Sequence, residues 1–132
     1  MKKMLIAEDD ATSCMLLQDM LKRYGPIDLA DNGQKAVEMV RAAIDADAPF
    51  DLICLDIMMP GMDGYEVLRR IRDLETSKGI LPAAAAKIFM ITALDDLTNV
   101  IQAFSGLCDA YLLKPIERSA LMQRMREYVL TG

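Results

Sequence analysis

Four places in this 132-residue chain set a chemically active side chain at the end of a short apolar run. Glu8 and Asp9 follow Lys3–Ala7, Asp56 follows Leu52–Leu55, Thr92 follows Ile88–Ile91, and Lys114 follows Ala110–Leu113. Runs of this length and character read as strands, the central one apolar enough to be buried on both faces. In an open parallel sheet, ligands lie beyond the carboxyl ends of the strands. Three carboxylates, a hydroxyl and an ammonium are therefore expected along one edge. Clustered carboxylates raise one another's pKa unless a cation offsets their charge. Mg²⁺ suits such a place, because it is hard and is usually held by one or two carboxylates together with water and phosphate. A carboxylate there can act as a nucleophile toward phosphorus and become an aspartyl phosphate. Phosphoryl transfer asks mainly for positioning and charge neutralisation, which a metal, a lysine and a hydroxyl supply.

The elements that must carry these residues alternate in type. After the strand Lys3–Ala7, either Asp10 or Thr12 is suited to cap a helix. Met15, Leu17, Met20, Leu21 and Tyr24 mark its apolar positions, and it stops at Gly25-Pro26. Ile27–Ala30 is a weaker strand and Asn32-Gly33 a turn. Ala36, Val37, Val40, Ala43 and Ile44 share one face of the next helix. After the central strand, Pro60, Gly61, Asp63 and Gly64 break regular structure before an amphipathic helix from about Tyr65 to Glu75, which Asp63 caps. The connection TSKGILPAAAAK reads as a mobile surface loop because of Gly79 and Pro82. Asp95-Asp96 opens a helix to about Phe104, and a last helix spans Glu117–Leu130 with Leu121, Met125, Tyr128 and Val129 inward. Five strand-helix pairs predict an α/β domain with a parallel sheet covered on both faces.

Composition narrows the classes of function. Apolar residues make up 53% and charged residues 27%, which is globular and not disordered. A net charge of -5 argues against an autonomous nucleic-acid binder, which needs a basic face. No apolar run approaches the roughly 18 residues of a membrane span, and Glu8 interrupts the amino-terminal apolar stretch too early for a signal peptide. Cys14, Cys54 and Cys108 read as buried, reduced thiols, which points to the cytoplasm. The chain has no histidine, so it holds neither a His-based catalyst nor a phosphohistidine of its own.

Over essentially its whole length the chain resembles the receiver domain of bacterial two-component response regulators, in their stand-alone, chemotaxis-regulator-like form. The resemblance is carried by LIAEDD, LDIMMPGMDGYEVLRRIR, MITA and YLLKP, in that order and each at a strand end. It implies a flavodoxin-like doubly wound (βα)5 fold with strand order 2-1-3-4-5, a single domain over residues 1–132 and no output domain. It makes Asp56 the phosphoacceptor. It implies Mg²⁺ as cofactor, with Asp9 and Asp56 as direct ligands, Glu8 acting through water and the Met58 backbone carbonyl as a further ligand. Thr92 and Lys114 would bind phosphoryl oxygens, Ala93 would leave room for the group, and Tyr111 would be the aromatic partner of Thr92 in switching. The family also implies a cis Lys114–Pro115 bond, which X-Pro sequences tolerate. Its implied partners are a histidine kinase or phosphotransfer protein upstream, and a protein target that meets the fourth helix, fifth strand and fifth helix. Neither nucleic acid nor a membrane is expected as a partner, and no enzyme activity beyond its own phosphoryl transfer and autodephosphorylation.

Departures from the family pattern carry their own expectations. Glu8 stands where aspartate is commoner, and the connection after the third helix is long. Met58 and Leu94, each two residues past a site residue, are both apolar. In the family the resemblance points to, these two positions flank the phosphoryl group and influence its hydrolysis; an apolar pair offers nothing to orient water, so the phosphorylated state should be long-lived. A phosphatase of the haloacid dehalogenase class also forms an aspartyl phosphate, but it needs an aspartate where Met58 stands. A pseudo-receiver would have lost an acid, the threonine or the lysine. A nucleotide-binding module would carry GxGxxG or GxxxxGK[ST] after the first strand, and neither is present.

Overall fold

The computed structural model describes residues 1–59, 61–93, 98 and 106–130. Five parallel strands form one sheet: β1 Met4–Ala7, β2 Ile27–Ala30, β3 Leu52–Asp56, β4 Lys87–Ala93 and β5 Ala110–Lys114. Their order is β2-β1-β3-β4-β5, the order expected. Helices α1 Ala11–Leu21, α2 Gly33–Asp45 and α3 Gly64–Ser77 follow the first three strands, and a C-terminal helix covers Arg118–Arg124. That last helix continues as a π-helical turn over Met125–Val129. The helix expected from Asp95 to about Phe104 lies, apart from Thr98, outside the described residues, as does Leu94.

The period-two alternation of strand side chains splits the apolar core into two layers. Leu5, Ile53, Leu55, Ile88 and Met90 point toward α2 and α3, where they meet Val37, Val40, Val67, Leu68 and Ile71. Met4, Ile6, Leu52, Cys54, Phe89 and Ile91 point the other way, onto Leu17 and Leu21 of α1 and Leu121, Met125 and Val129 of the C-terminal helix. All five residues of β3 are buried, as befits the middle strand of a sheet covered on both sides.

The caps of α1, α2 and α3 fall where a short polar side chain precedes the helix. Asp10, Asn32 and Asp63 accept from the backbone amides of Ser13, Lys35 and Glu66 at 2.9, 2.8 and 2.8 Å. Asp10, not Thr12, caps α1. Gly64 brings the start of α3 against the end of β3: its amide donates to the Ile57 carbonyl at 3.2 Å, and a Cβ there would stand 2.7 Å from Ile57 Cα. Only glycine permits that approach.

Three details differ from expectation. Met15 is 68% exposed on the outer side of α1, because the inward positions of that helix are Leu17, Met20 and Leu21. Cys14 and Cys108 are half-buried, and Cys54 alone among the cysteines is fully buried. The connection after α3 is not a free loop. α3 runs on to Ser77, Pro82–Ala84 forms a 3-10 turn, and the Ala86 amide donates to the buried Glu75 carboxylate at 2.8 Å. An apolar, alanine-rich segment is held there by a polar anchor that its own composition does not reveal.

Candidate functional site

The sheet brings the carboxyl ends of β1, β3, β4 and β5 to one edge. Parallel register pairs Ala7 with Leu55, Asp56 with Ile91, and Ala93 with Lys114. Glu8 and Asp9 therefore leave β1 beside the end of β3. Asp56 closes β3, and Lys114 closes β5 on the far side of β4. Carboxylate oxygens of Glu8, Asp9 and Asp56 all lie within 4.8 Å of one another. Glu8 and Asp56 are 3% and 2% exposed, whereas Asp9 faces solvent.

Lys114 joins the two buried acids. Its Nζ donates to Asp56 Oδ2 at 3.1 Å and lies 3.0 Å from Glu8 Oε1. Hydrogen-bond geometry is met only at Asp56; the buried Glu8 Oε1 meets the same lysine as an ion pair. The other Glu8 oxygen accepts from the Asp9 amide at 3.1 Å. Burial, and then a hydrogen bond shared with Asp56, push the Glu8 carboxyl up to about 7, with Lys114 pulling against both. Burial works against the Lys114 ammonium too, but the Glu8 and Asp56 carboxylates outweigh it and hold the lysine above its ordinary range. One lysine is thus set against three carboxylates.

The remaining predicted residues fall around this group. The Met58 amide donates to Asp56 Oδ1 at 3.2 Å, which fixes the turn after β3, while the Met58 side chain is 73% exposed. Thr92 is buried at the end of β4, and its hydroxyl donates to the Ala93 carbonyl at 3.3 Å. Ala93 is exposed at the strand end. Tyr111 pairs with Met90 across β4 and β5 and sits half-buried against the core layer under α3. Burial, and then a hydrogen bond with Cys108, raise its phenol above the ordinary tyrosine range. The Lys114–Pro115 peptide bond is cis. Glu8, Asp9, Asp56, Met58 and Lys114 thus form one connected group. Thr92 stands at the same edge with its hydroxyl turned to the backbone, and Tyr111 lies further back in β5.

The chain belongs to the response regulator receiver domain family. Residues 4–126 match the family described as response regulator receiver domain. Transcriptional regulatory protein ResD of Bacillus subtilis is 36% identical over 125 residues, which cover 94% of this chain and 46% of that protein. The chain spans about half the length, or less, of the first curated relatives it matches. The receiver domain of the sensor histidine kinase PA1611 from Pseudomonas aeruginosa, solved with a magnesium ion coordinated in its active site cleft, superposes with a TM-score of 0.76 at 26% identity. It covers 98% of each chain. The receiver domain of the Saccharomyces cerevisiae response regulator Ssk1, solved with the histidine phosphotransfer protein Ypd1, gives a TM-score of 0.78 at 27% identity. That match covers 96% of this chain and 88% of the other. The family therefore reaches beyond bacteria. As a receiver domain, the chain is a component of two-component or phosphorelay signalling.

Sequence reasoning missed a second polar cluster at the opposite edge of the sheet. Arg72 on α3 donates from Nη1 to Glu75 Oε1 at 2.7 Å and to the Ala86 carbonyl at 2.9 Å. Its Nε donates to the Leu107 carbonyl at 2.8 Å, and its Nη2 to Asp109 Oδ2 at 3.2 Å. The i,i+3 spacing of Arg72 and Glu75 was the one available signal, and a solvated helix face carries the same signal.

Proposed function

We propose that Asp56 accepts a phosphoryl group from the phosphohistidine of a partner kinase or phosphotransfer protein, and that this switches a protein-binding surface. The observation that carries the reading is the connected group of Glu8, Asp9, Asp56 and Lys114 at the carboxyl edge. It is a nucleophile held by a cation beside two further acids. The group fits a hard divalent cation, since three carboxylates face a single lysine that the buried Glu8 and Asp56 must share. Asp9, Asp56 and the Met58 carbonyl would hold Mg²⁺, with Glu8 acting through water. When bound, the ion would neutralise the acids and the charge that develops on the transferred oxygens.

The chain's own residues do the rest. The Lys114 and Met58 donors hold the Asp56 carboxylate by both oxygens, which orients it toward the donor phosphorus. An Asp56 oxygen attacks phosphorus as the N–P bond of the phosphohistidine breaks, and the electron pair returns to the imidazole nitrogen. Lys114 then moves its hydrogen bond onto a phosphoryl oxygen, and Thr92 turns its hydroxyl from the Ala93 carbonyl toward another. Tyr111 follows Thr92, which shifts an equilibrium between two arrangements of the readout surface that the family places on its fourth helix, fifth strand and fifth helix. A near-complete switch needs about 5.5 kcal/mol of difference between the two states in their interaction with the phosphoryl group.

The chain catalyses only its own phosphorylation and hydrolysis, works in the cytoplasm of a bacterium, and signals by protein contact at its receiver surface. No helix among the described residues is long and apolar enough to cross a membrane. Incubation with acetyl phosphate and Mg²⁺, followed by intact mass, tests the central step. The wild type is expected to gain one phosphoryl group and Asp56→Asn none. A wild type that gains nothing would end this reading.

A further inference from the structure

Cys108 has no part in phosphoryl transfer, yet it touches Tyr111, a side chain that moves in the proposed switch. It sits at the amino edge of the sheet, between two residues that are pinned in place. Arg72 Nε donates to the Leu107 carbonyl at 2.8 Å, and Arg72 Nη2 to Asp109 Oδ2 at 3.2 Å. The Asp109 amide donates to the Ile88 carbonyl at 2.9 Å, and the Asp109 carboxylate accepts from the Ile88 amide at 2.8 Å. The chain on both sides of Cys108 is therefore tied to α3 and to the start of β4. Cys108 is half-buried and packs, with Tyr111, against the core layer under α3. The Tyr111 hydroxyl and the Cys108 sulfur are hydrogen-bonded to one another. β5 runs from Ala110 toward Lys114, and Thr92 pairs with Leu113, which lies beyond Tyr111 in that direction. A hydroxyl bonded to Cys108 is thus directed back toward the amino edge, away from Thr92. Burial raises the Cys108 thiol, so the partner that Tyr111 meets is a neutral thiol.

We propose that Cys108 is a positioning residue, a latch that holds the Tyr111 hydroxyl at the amino edge and so favours the unphosphorylated arrangement. The inference rests on Asp56 being the phosphoacceptor and on Tyr111 following Thr92. Arg72 and β4 fix the chain around Cys108 before any signal arrives, so little ordering cost is left when the bond forms. Sulfur is a weak acceptor. A weak bond holds the side chain at rest and gives way when Thr92 moves. The bond is a contact made in one arrangement and not in the other, and such a contact biases the equilibrium by its own differential free energy. Phosphorylation must overcome that bias. The Arg72 cluster thereby reaches the switch through Leu107, Asp109 and Cys108, and the amino edge sets how readily the carboxyl edge responds.

The test follows the Tyr111 ring by NMR in protein with ¹³C-labelled tyrosine, the signal being the one that Tyr111→Phe lacks. The wild type is first phosphorylated with acetyl phosphate and Mg²⁺ and its intact mass measured. If it gains no phosphoryl group, the phosphoacceptor reading fails and the proposal falls with it. If it gains the group, the Tyr111 signal is expected to move on phosphorylation. Unphosphorylated Cys108→Ala should then show that signal displaced part of the way along the same path. The switched arrangement should be roughly two- to ten-fold more populated, the range that one net hydrogen bond spans. Cys108→Val, which refills the volume without an acceptor, should be displaced as Cys108→Ala is. Cys108→Ser, whose hydroxyl accepts from Tyr111, should return the signal toward the wild-type position. A cysteine that only fills space predicts the reverse order, with Cys108→Val nearest the wild type. Where Cys108→Ala does not fold, Cys108→Val against Cys108→Ser decides the same question. A phosphorylated wild type whose Tyr111 signal stays in place, or Cys108→Ser displaced as far as the variants without an acceptor, overturns the proposal.

Discussion

The two edges of the sheet each carry a cluster of carboxylates and a cation, and they are built on opposite plans. At the amino edge Arg72 gives four hydrogen bonds. Both acids it meets are also bonded to backbone, Glu75 by the Ala86 amide and Asp109 by the Ile88 amide, each at 2.8 Å. At the carboxyl edge one lysine spans two buried acids, a third acid stands beside them, and Glu8 Oε1 has that shared lysine as an ion pair without hydrogen-bond geometry. A fully bonded network fixes a shape. An incompletely bonded one keeps room and charge for something else. The contrast separates structure from function in a way that neither cluster does alone.

Breaking the amino-edge cluster should have the largest effect. Arg72→Met keeps much of the side-chain volume but leaves Glu75 buried and stripped of its cation, along with two backbone carbonyls. Removing one partner of a buried pair costs about 3–5 kcal/mol. A large fall in the urea midpoint of Arg72→Met is expected, with phosphorylation by acetyl phosphate retained in whatever fraction remains folded. A midpoint within error of the wild type would show that this network does not hold the sheet edge.

The carboxyl edge should answer to pH instead. Glu8 has an ordinary value of 4.5 and is pushed up to about 7 in the fold. Between those values the folded protein keeps a proton that the unfolded chain has released. Stability from Glu8 is thus fully present below pH 4.5 and is lost as pH rises through about 7. In metal-free protein the urea midpoint should fall across that window, and Mg²⁺ should offset the fall at its upper end. Glu8→Gln, which has no charge to bury, should flatten the profile. A wild-type midpoint that rises steadily from pH 4.5 to 7 would contradict the raised value.

These two clusters were not equally legible in the sequence. Asp56, Thr92 and Lys114 stand out because each ends an apolar strand, and parallel topology puts strand ends together. Five alternating units pointed to a parallel sheet, the strand order came with the family resemblance, and the register is a finding of the structure. Arg72, Glu75 and Asp109 meet across turns, with Asp109 lying 37 positions from Arg72. No periodicity marks an arginine that turns inward. The same blindness explains Met15, whose apolar side chain reads as core until the helix's actual phase puts Leu17 and Leu21 inside. It also explains the connection after α3, where Glu75 anchors a segment whose glycine and proline suggest freedom.

The smallest expected effect comes from a control on the same helix. Arg70 pairs with Glu66 at 3.0 Å, one turn apart, and both side chains are about half exposed. By distance alone this pair rivals the Arg72 contacts. Exposed i,i+4 pairs nevertheless contribute only about 0.3–0.5 kcal/mol, because water screens them and two long side chains must be ordered. Arg70→Ala should therefore move the urea midpoint barely at all, and added salt should erase the difference. Arg70 and Arg72 differ by two positions and by which way each points from α3. If their replacement were equally costly, burial would not be what distinguishes the amino-edge cluster. Its saturation would then say nothing about why the carboxyl edge is left unsaturated.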